Sequence, residues 1–226
     1  MALSNQEKLR YSRHLNLPDF GIPTQEKLKR AKVLVVGTGG LGAPLLQYLT
    51  AVGVGTIGVV DFDVIDESNL QRQVLFGMED IGKPKTAVAI TKLRAQNPFV
   101  HFIEYNLKLD ASNALDIISN YDVVADGTDN FPTRYLVNDA CVLTGKPNVY
   151  ASIYRFEGQV SVFNWVNKEG VTGFNVQNQD FKAFAKALDH LLIHDETRAE
   201  FSKNARERVL NKFSIGKLRN YLSSIY

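Results

Sequence analysis

The turn Gly37-Thr38-Gly39-Gly40-Leu41-Gly42 sits between a β-branched run, Val33 to Val36, and a helix-compatible stretch. A second apolar run follows and closes on Asp61 and Asp63. These residue types in this order can build a nucleotide site from backbone geometry. Gly37 permits a tight turn, Gly39 lets a phosphate approach the main chain, and Gly42 lets the helix pack close to the strand. The helix N-terminus then aims free N–H groups and a positive dipole end at an anion. An acid follows Gly42 after 19 residues, where a ribose hydroxyl needs an acceptor.

A lone G-x-G-x-x-G would also suit a dinucleotide enzyme, but the residues beyond Asp61 argue otherwise. DFDVIDESNLQRQ, residues 61–73, places acids, Asn69 and Arg72 close together, and GKPKT brings Lys85 to the start of a helix. DGTDN, residues 126–130, ends a later strand on Asp126 and Asp129. Cations suit phosphates and a carboxylate suits Mg²⁺. Several cations with a metal-binding acid exceed what a dinucleotide needs and fit the triphosphate of ATP.

The elements that must position these residues follow from hydrophobic period. Strands are expected at 33–36, 56–61, 100–105, 121–125, 147–152 and 158–163, with helices near 42–53, 84–96, 111–119 and 131–144. A capping box, Ser4 with Glu7, starts a helix over 5–15, and a short helical piece covers 27–30. Alternating strands and helices predict an α/β, Rossmann-like fold with a mostly parallel sheet and helices on both faces. FEGQVSVFNW alternates more strictly and is expected to run antiparallel at one edge. Composition changes near Trp165, beyond which three amphipathic patterns predict an α-helical C-terminal tail.

Net charge of +2 gives no electrostatic case for nucleic acid or an anionic membrane, and no apolar run has membrane-spanning length. The polar start of the chain predicts a cytoplasmic location. The single cysteine, Cys141, excludes an intrachain disulfide and paired-CxxC zinc, and reads as a buried structural thiol rather than a nucleophile. His14, His101, His190 and His194 lack ligand spacing and read as structural or surface residues.

Six motifs in order, RYSRH (10–14), GTGGLG (37–42), DFDVIDESNLQRQ, GKPK (82–85), DGTDN and EGQVSVF (157–163), resemble the ThiF/MoeB/HesA family of ubiquitin-activating-type adenylyltransferases over residues 5–165. The resemblance implies ATP-dependent adenylylation of the C-terminal glycine of a ubiquitin-like sulfur-carrier protein, with release of pyrophosphate, by a homodimer. It also implies roles by position. Gly39 and Gly40 approach the phosphates, and Asp61 holds the ribose. Asn69, Arg72 and Lys85 hold the triphosphate, and Asp129 takes Mg²⁺. Arg13 reaches into the partner subunit's site. Two residues keep alternatives: Asp126 competes with Asp129 as the metal ligand, and Asp63 is either a site residue or a turn cap.

The family pattern stops after Phe163: the zinc-binding CxxC pairs and crossover-loop cysteine usual in the family are not in this sequence. Residues 166–226, with GVTGF and a closing helix at FS, resemble instead the tail of nucleotide-sugar glycosyltransferases with two Rossmann-like domains. The expected organisation is therefore an ATP-binding adenylyltransferase-like domain over 1–165 and a helical tail over 166–226. The competing functions are a catalytically incomplete ATP-binding or dimerising module and, more remotely, a glycosyltransferase fragment.

Overall fold

The computed structural model describes residues 2–164 and Glu196. Three short helices open the chain: α1 (Asn5–Arg10), α2 (Ser12–Leu15) and α3 (Gly21–Arg30). The Ser4–Glu7 capping box forms as its spacing requires, but the expected 5–15 helix breaks at Tyr11. Tertiary contacts cause that break. Tyr11 is buried, its hydroxyl accepts from Asn97 Nδ2 at 2.9 Å, and its ring lies where a Cβ on Gly53 would sit.

Alternating elements follow: β1 (Lys32–Val36), α4 (Gly42–Val52), β2 (Thr56–Asp61), α5 (Lys85–Gln96), β3 (His101–Asn106), α6 (Ala114–Ser119), β4 (Val123–Asp126), α7 (Phe131–Thr144), β5 (Asn148–Tyr154) and β6 (Glu157–Phe163). They make a six-stranded sheet of order β3-β2-β1-β4-β5-β6. All pairings are parallel except β5 with β6, where the strictly alternating segment lies antiparallel at the edge as expected. Helix α6 starts three residues later than the pattern suggested, because Asp110 accepts from Ser112 and Asn113 first closes back on Asp110.

Each central strand sends alternate residues to opposite faces. Val35, Ile57, Val59 and Ala125 join α4 and α5 in one apolar cluster. Leu34, Val36, Val60 and Val124 join α6 and α7 in the other. Both faces are thus covered by helices, which is why β1 and β2 read as continuous apolar runs. With β1 at the centre, the chain runs outward to β2 and β3 on one side and to β4 and β5 on the other. That reversal opens a crevice at the carboxyl ends of β1 and β4, the place where open α/β sheets take ligands.

Candidate functional site

A cleft of about 680 Å³ occupies that crevice. Its floor is the turn after β1. Gly37 has a φ of +92°, and a Cβ on Gly42 would lie 1.8 Å from the Gly37 carbonyl oxygen, so no side chain fits where α4 meets the turn. Gly42 therefore acts in packing and does not line the cleft. Gly39 and Gly40 do line it, and a Cβ on Gly39 would meet only Gln73 Nε2 at 3.8 Å, which leaves its main chain open to a ligand. Helix α4 has no side-chain cap. Among the described residues the N–H groups of Gly39, Gly40 and Leu41 donate to no protein acceptor. A helix N-terminus with free amides, facing a cleft, is suited to an anion.

Asp61 stands beside the turn at the end of β2. Its Oδ2 accepts from the Thr38 amide at 2.8 Å and the Thr38 hydroxyl at 2.6 Å, and its Oδ1 accepts from the Asp63 amide at 2.9 Å. The carboxylate is thus fixed in direction by donors rather than by a cation, with lone pairs left to accept from a hydroxyl. Residues 62–84 form an excursion that returns on itself. The Ile65 amide donates to the Lys83 carbonyl, and the Lys85 amide to the Asp63 carbonyl at 3.0 Å. This closure delivers Lys85 to the first position of α5, where its Nζ lies 3.0 Å from Asp63 Oδ2. The lysine side chain is 6% exposed and the aspartate 51%. Asp63 is therefore the counter-ion of Lys85 and, through its main chain, a turn residue as well.

Within the excursion Asp66 caps a 3₁₀ turn, Glu67–Asn69, and its carboxyl is held below its ordinary range by the Ser68 hydroxyl and amide. Arg72 follows that turn. Its Nη1 donates to the Ser68 carbonyl at 3.3 Å and its methylenes lie over Gly40. Asn69 lines the cleft beside it. One opening thus gathers Gly37, Gly39, Gly40, Asp61, Asp63, Asn69, Arg72, Lys85 and Asp129, which are most of the residues singled out from sequence. Arg13, exposed on α2, is not among the residues lining it.

The opposite wall is the loop from β4 to α7. Asp126 is buried beneath it. Its Oδ1 accepts from the Thr128 amide and hydroxyl at 3.0 and 2.7 Å, while its Oδ2 is buried without a partner. Burial raises its pKa, against the lowering effect of those two bonds and of Arg134. Asp129 is exposed on the cleft wall and makes no hydrogen bond or ion pair among the described residues. Asn130 caps α7 through the Thr133 amide at 3.0 Å.

Gln73 and Arg134 are among the cleft residues that escape sequence reading. Gln73 is buried with Oε1 unpartnered, and its only signal is adjacency to Arg72. Arg134, one turn into α7, looks in sequence like an ordinary helix-surface cation. Cys141 is fully buried and its thiol is pushed up to about 12 by burial, with the Asp126 charge adding to the effect. That environment bears out a structural thiol. His14 is structural too, with Nδ1 3.1 Å from Gln25 Oε1 and its ring stacked on Tyr11, whereas His190 and His194 lie outside the described residues. Among the described residues no group of three or more metal-ligating side chains occurs, and no helix is long and apolar enough to cross a membrane.

A parallel sheet whose strand order reverses beside an uncapped helix N-terminus, with an oriented acid on the next strand, defines a Rossmann-like nucleotide-binding domain. The chain belongs to the ThiF family, whose model matches residues 11–198. Two curated relatives are similar over most of this chain. The probable adenylyltransferase/sulfurtransferase MoeZ of Mycobacterium tuberculosis is 57% identical over 177 residues, 78% of this chain and 45% of MoeZ. The sulfur carrier protein adenylyltransferase of Thermus thermophilus is 53% identical over 173 residues, 76% of this chain and 64% of that protein. The chain thus spans less than two thirds of the length of either. Among solved structures, E. coli MccB with ATP is 31% identical with a TM-score of 0.58, over 68% of this chain and 47% of MccB. The family match runs past Trp165, beyond Phe163 where the family pattern was expected to stop, and none of the relatives or structures above is a glycosyltransferase. The tail over 166–226 lies outside the described residues apart from Glu196.

Proposed function

We propose that this chain uses Mg²⁺ and ATP to adenylate the C-terminal glycine of a ubiquitin-like sulfur-carrier protein. The observation that carries the reading is the convergence in one cleft of free backbone amides, an oriented Asp61, the cations Arg72 and Lys85, and an unpaired Asp129. The names of the relatives above, at better than half identity, point to the same chemistry.

The carrier's carboxylate attacks the α-phosphorus of ATP, the bond from that phosphorus to the bridging oxygen breaks, and pyrophosphate leaves. Such transfer needs charge neutralisation and in-line positioning more than a general base. Asp61 accepts from the ribose. The amides of Gly39, Gly40 and Leu41 meet the phosphates. Lys85 exchanges Asp63 for a phosphate oxygen, and Arg72, beside Asn69, neutralises charge on the leaving pyrophosphate. Asp129 fits Mg²⁺, since it is an unpartnered carboxylate on the cleft wall and a hard cation takes one or two carboxylates plus phosphate oxygens and water. Asp126 suits that task less, because one oxygen is committed to Thr128 and the other is buried. The bound ion would shield the negative charge between attacking and leaving oxygens. Arg13 acts in trans in a homodimer working in the cytoplasm, and residues 1–165 form the nucleotide domain ahead of a tail over 166–226.

The test is exchange of labelled pyrophosphate into ATP, dependent on added carrier. The expected result is exchange in the full chain that is lost with Arg72→Ala or Lys85→Ala; wild-type levels in both variants contradict these assignments. Nucleotide binding with no exchange for any carrier selects a binding module instead.

A further inference from the structure

Asp129 has no bond of its own to fix it, so the shape of its loop must come from its neighbours. The loop is pinned at its start by the Gly127 amide, which donates to the Val36 carbonyl at 3.0 Å, and at its end by the Asn130 cap. Between them lies the peptide plane that joins Thr128 to Asp129. Its carbonyl oxygen accepts from two atoms of one side chain, Arg134 Nε at 3.0 Å and Nη2 at 2.7 Å. The guanidinium is itself held. Its Nη1 donates to the Tyr150 hydroxyl at 3.3 Å, and its carbon lies 5.4 Å from the Tyr150 ring centroid and 5.7 Å from that of Phe131.

We infer that Arg134 is a positioning residue for Asp129: by forking onto the Thr128 carbonyl it sets the peptide that aims the Asp129 carboxylate at the nucleotide-bound cation. A planar fork resists rotation of the carbonyl it grips, whereas a lysine ammonium offers one compact centre on a flexible stem. Rotation of that peptide swings the Asp129 Cα and its carboxylate together. The anchor spans three elements, since Arg134 is on α7, Thr128 follows β4 and Tyr150 is on β5. It thereby ties the cation's carboxylate to the sheet rather than to the loop. The inference rests on the reading of the cleft as a Mg²⁺–ATP site, but it requires no carrier protein and no turnover.

The experiment is titration of Mn²⁺, followed by its electron paramagnetic resonance signal, into the full chain saturated with a non-hydrolysable ATP analogue. Affinity for the analogue alone is measured in EDTA. For Arg134→Lys the expected result is about 10–100-fold weaker Mn²⁺ binding, the usual cost of losing a group that orients a metal ligand. Affinity in EDTA should stay within about twofold of wild type. Unchanged Mn²⁺ affinity overturns the inference. So does an equal loss with and without metal, which would mean that Arg134 contacts the phosphates directly. If Arg134→Lys does not fold, Tyr150→Phe decides, since it removes only the hydroxyl that steadies Nη1. It should weaken Mn²⁺ binding by about threefold with EDTA affinity unchanged, and no weakening overturns the inference. A chain that holds Mn²⁺ and analogue as expected yet shows no carrier-dependent exchange leaves the role of Arg134 standing and removes only the adenylylation reading.

Discussion

The two walls of the cleft are built by different means. The wall between β1 and β2 is made of main chain. Gly37 and Gly42 touch backbone to backbone, and Asp61 is locked by Thr38. The closed excursion then drops Lys85 beside Asp63. The wall between β4 and β5 is made of side chains, with Arg134 gripping a carbonyl between two aromatic rings. A backbone wall tolerates almost no substitution because its clearance is fixed by covalent geometry. A side-chain wall can be re-aimed by one residue without disturbing the sheet.

That contrast is breakable at several points. The largest effect falls on Lys85→Ala, for which carrier-dependent pyrophosphate exchange should drop about 10²–10³-fold, the cost of one charged donor in a preorganised site. Its melting temperature should fall only modestly, because the partner left behind, Asp63, is half exposed and what is lost is the packing of the buried lysine stem. A large loss of stability instead would make Lys85 a structural residue. Next comes Gly42→Ala. Its Cβ would sit 1.8 Å from a backbone oxygen that cannot move aside, so urea unfolding should show about 3 kcal/mol of destabilisation. Gly145→Ala is the internal control and should lose less, since a Cβ there meets nothing within 4 Å although its φ of +66° carries some strain.

Asp61→Asn should cost about 2 kcal/mol, because two short bonds from Thr38 lose their charged acceptor, and nucleotide affinity should fall with it. Fluorescence titration with a labelled ATP analogue reads the second effect. A stable variant with full affinity would separate Asp61 from the ribose. The smallest effect is one of pH. Asp80 is nearly buried, which alone would raise its pKa, but the Lys92 ammonium, the Gly77 amide and Lys83 outweigh burial and hold it below the ordinary carboxylate range. A depressed folded pKa stabilises the protein above the unfolded value of about 4, and that gain is lost as pH falls through the folded value. Asp80→Asn should therefore lower the urea midpoint at pH 6 by the equivalent of about 1 kcal/mol, and the gap should narrow as pH falls below the unfolded value of about 4. A gap that persists in acid would mean that packing, not charge, is at stake.

The same contrast explains what sequence conveys. The backbone wall was legible because glycine, β-branched runs and an acid at a fixed interval are each required by local geometry, and the strands fall within about two residues of their expected limits. The antiparallel edge was legible from strict alternation in GQVSVF. Reading fails where a distant contact decides the local shape. Tyr11 splits one helix because Asn97 and Gly53 receive it, and α3 begins at Gly21 rather than near Lys27 although little in GIPTQ announces a helix. Asp63 was ambiguous between site residue and turn cap because it is engaged twice, its carboxylate by the Lys85 ammonium and its carbonyl by the Lys85 amide. Arg134 was invisible for a related reason. Its work depends on the Thr128 carbonyl and the Tyr150 ring, which only the β4–β5 pairing brings together.

The central claim is that the glycine turn serves Mg²⁺–ATP rather than a redox dinucleotide, and competitive calorimetry on the full chain tests it most directly. With Mg²⁺ present, ATP should bind more tightly than NADH, and the preference should shrink sharply in Arg72→Ala and Lys85→Ala. NADH binding tighter than ATP, indifferent to both cations, would contradict it.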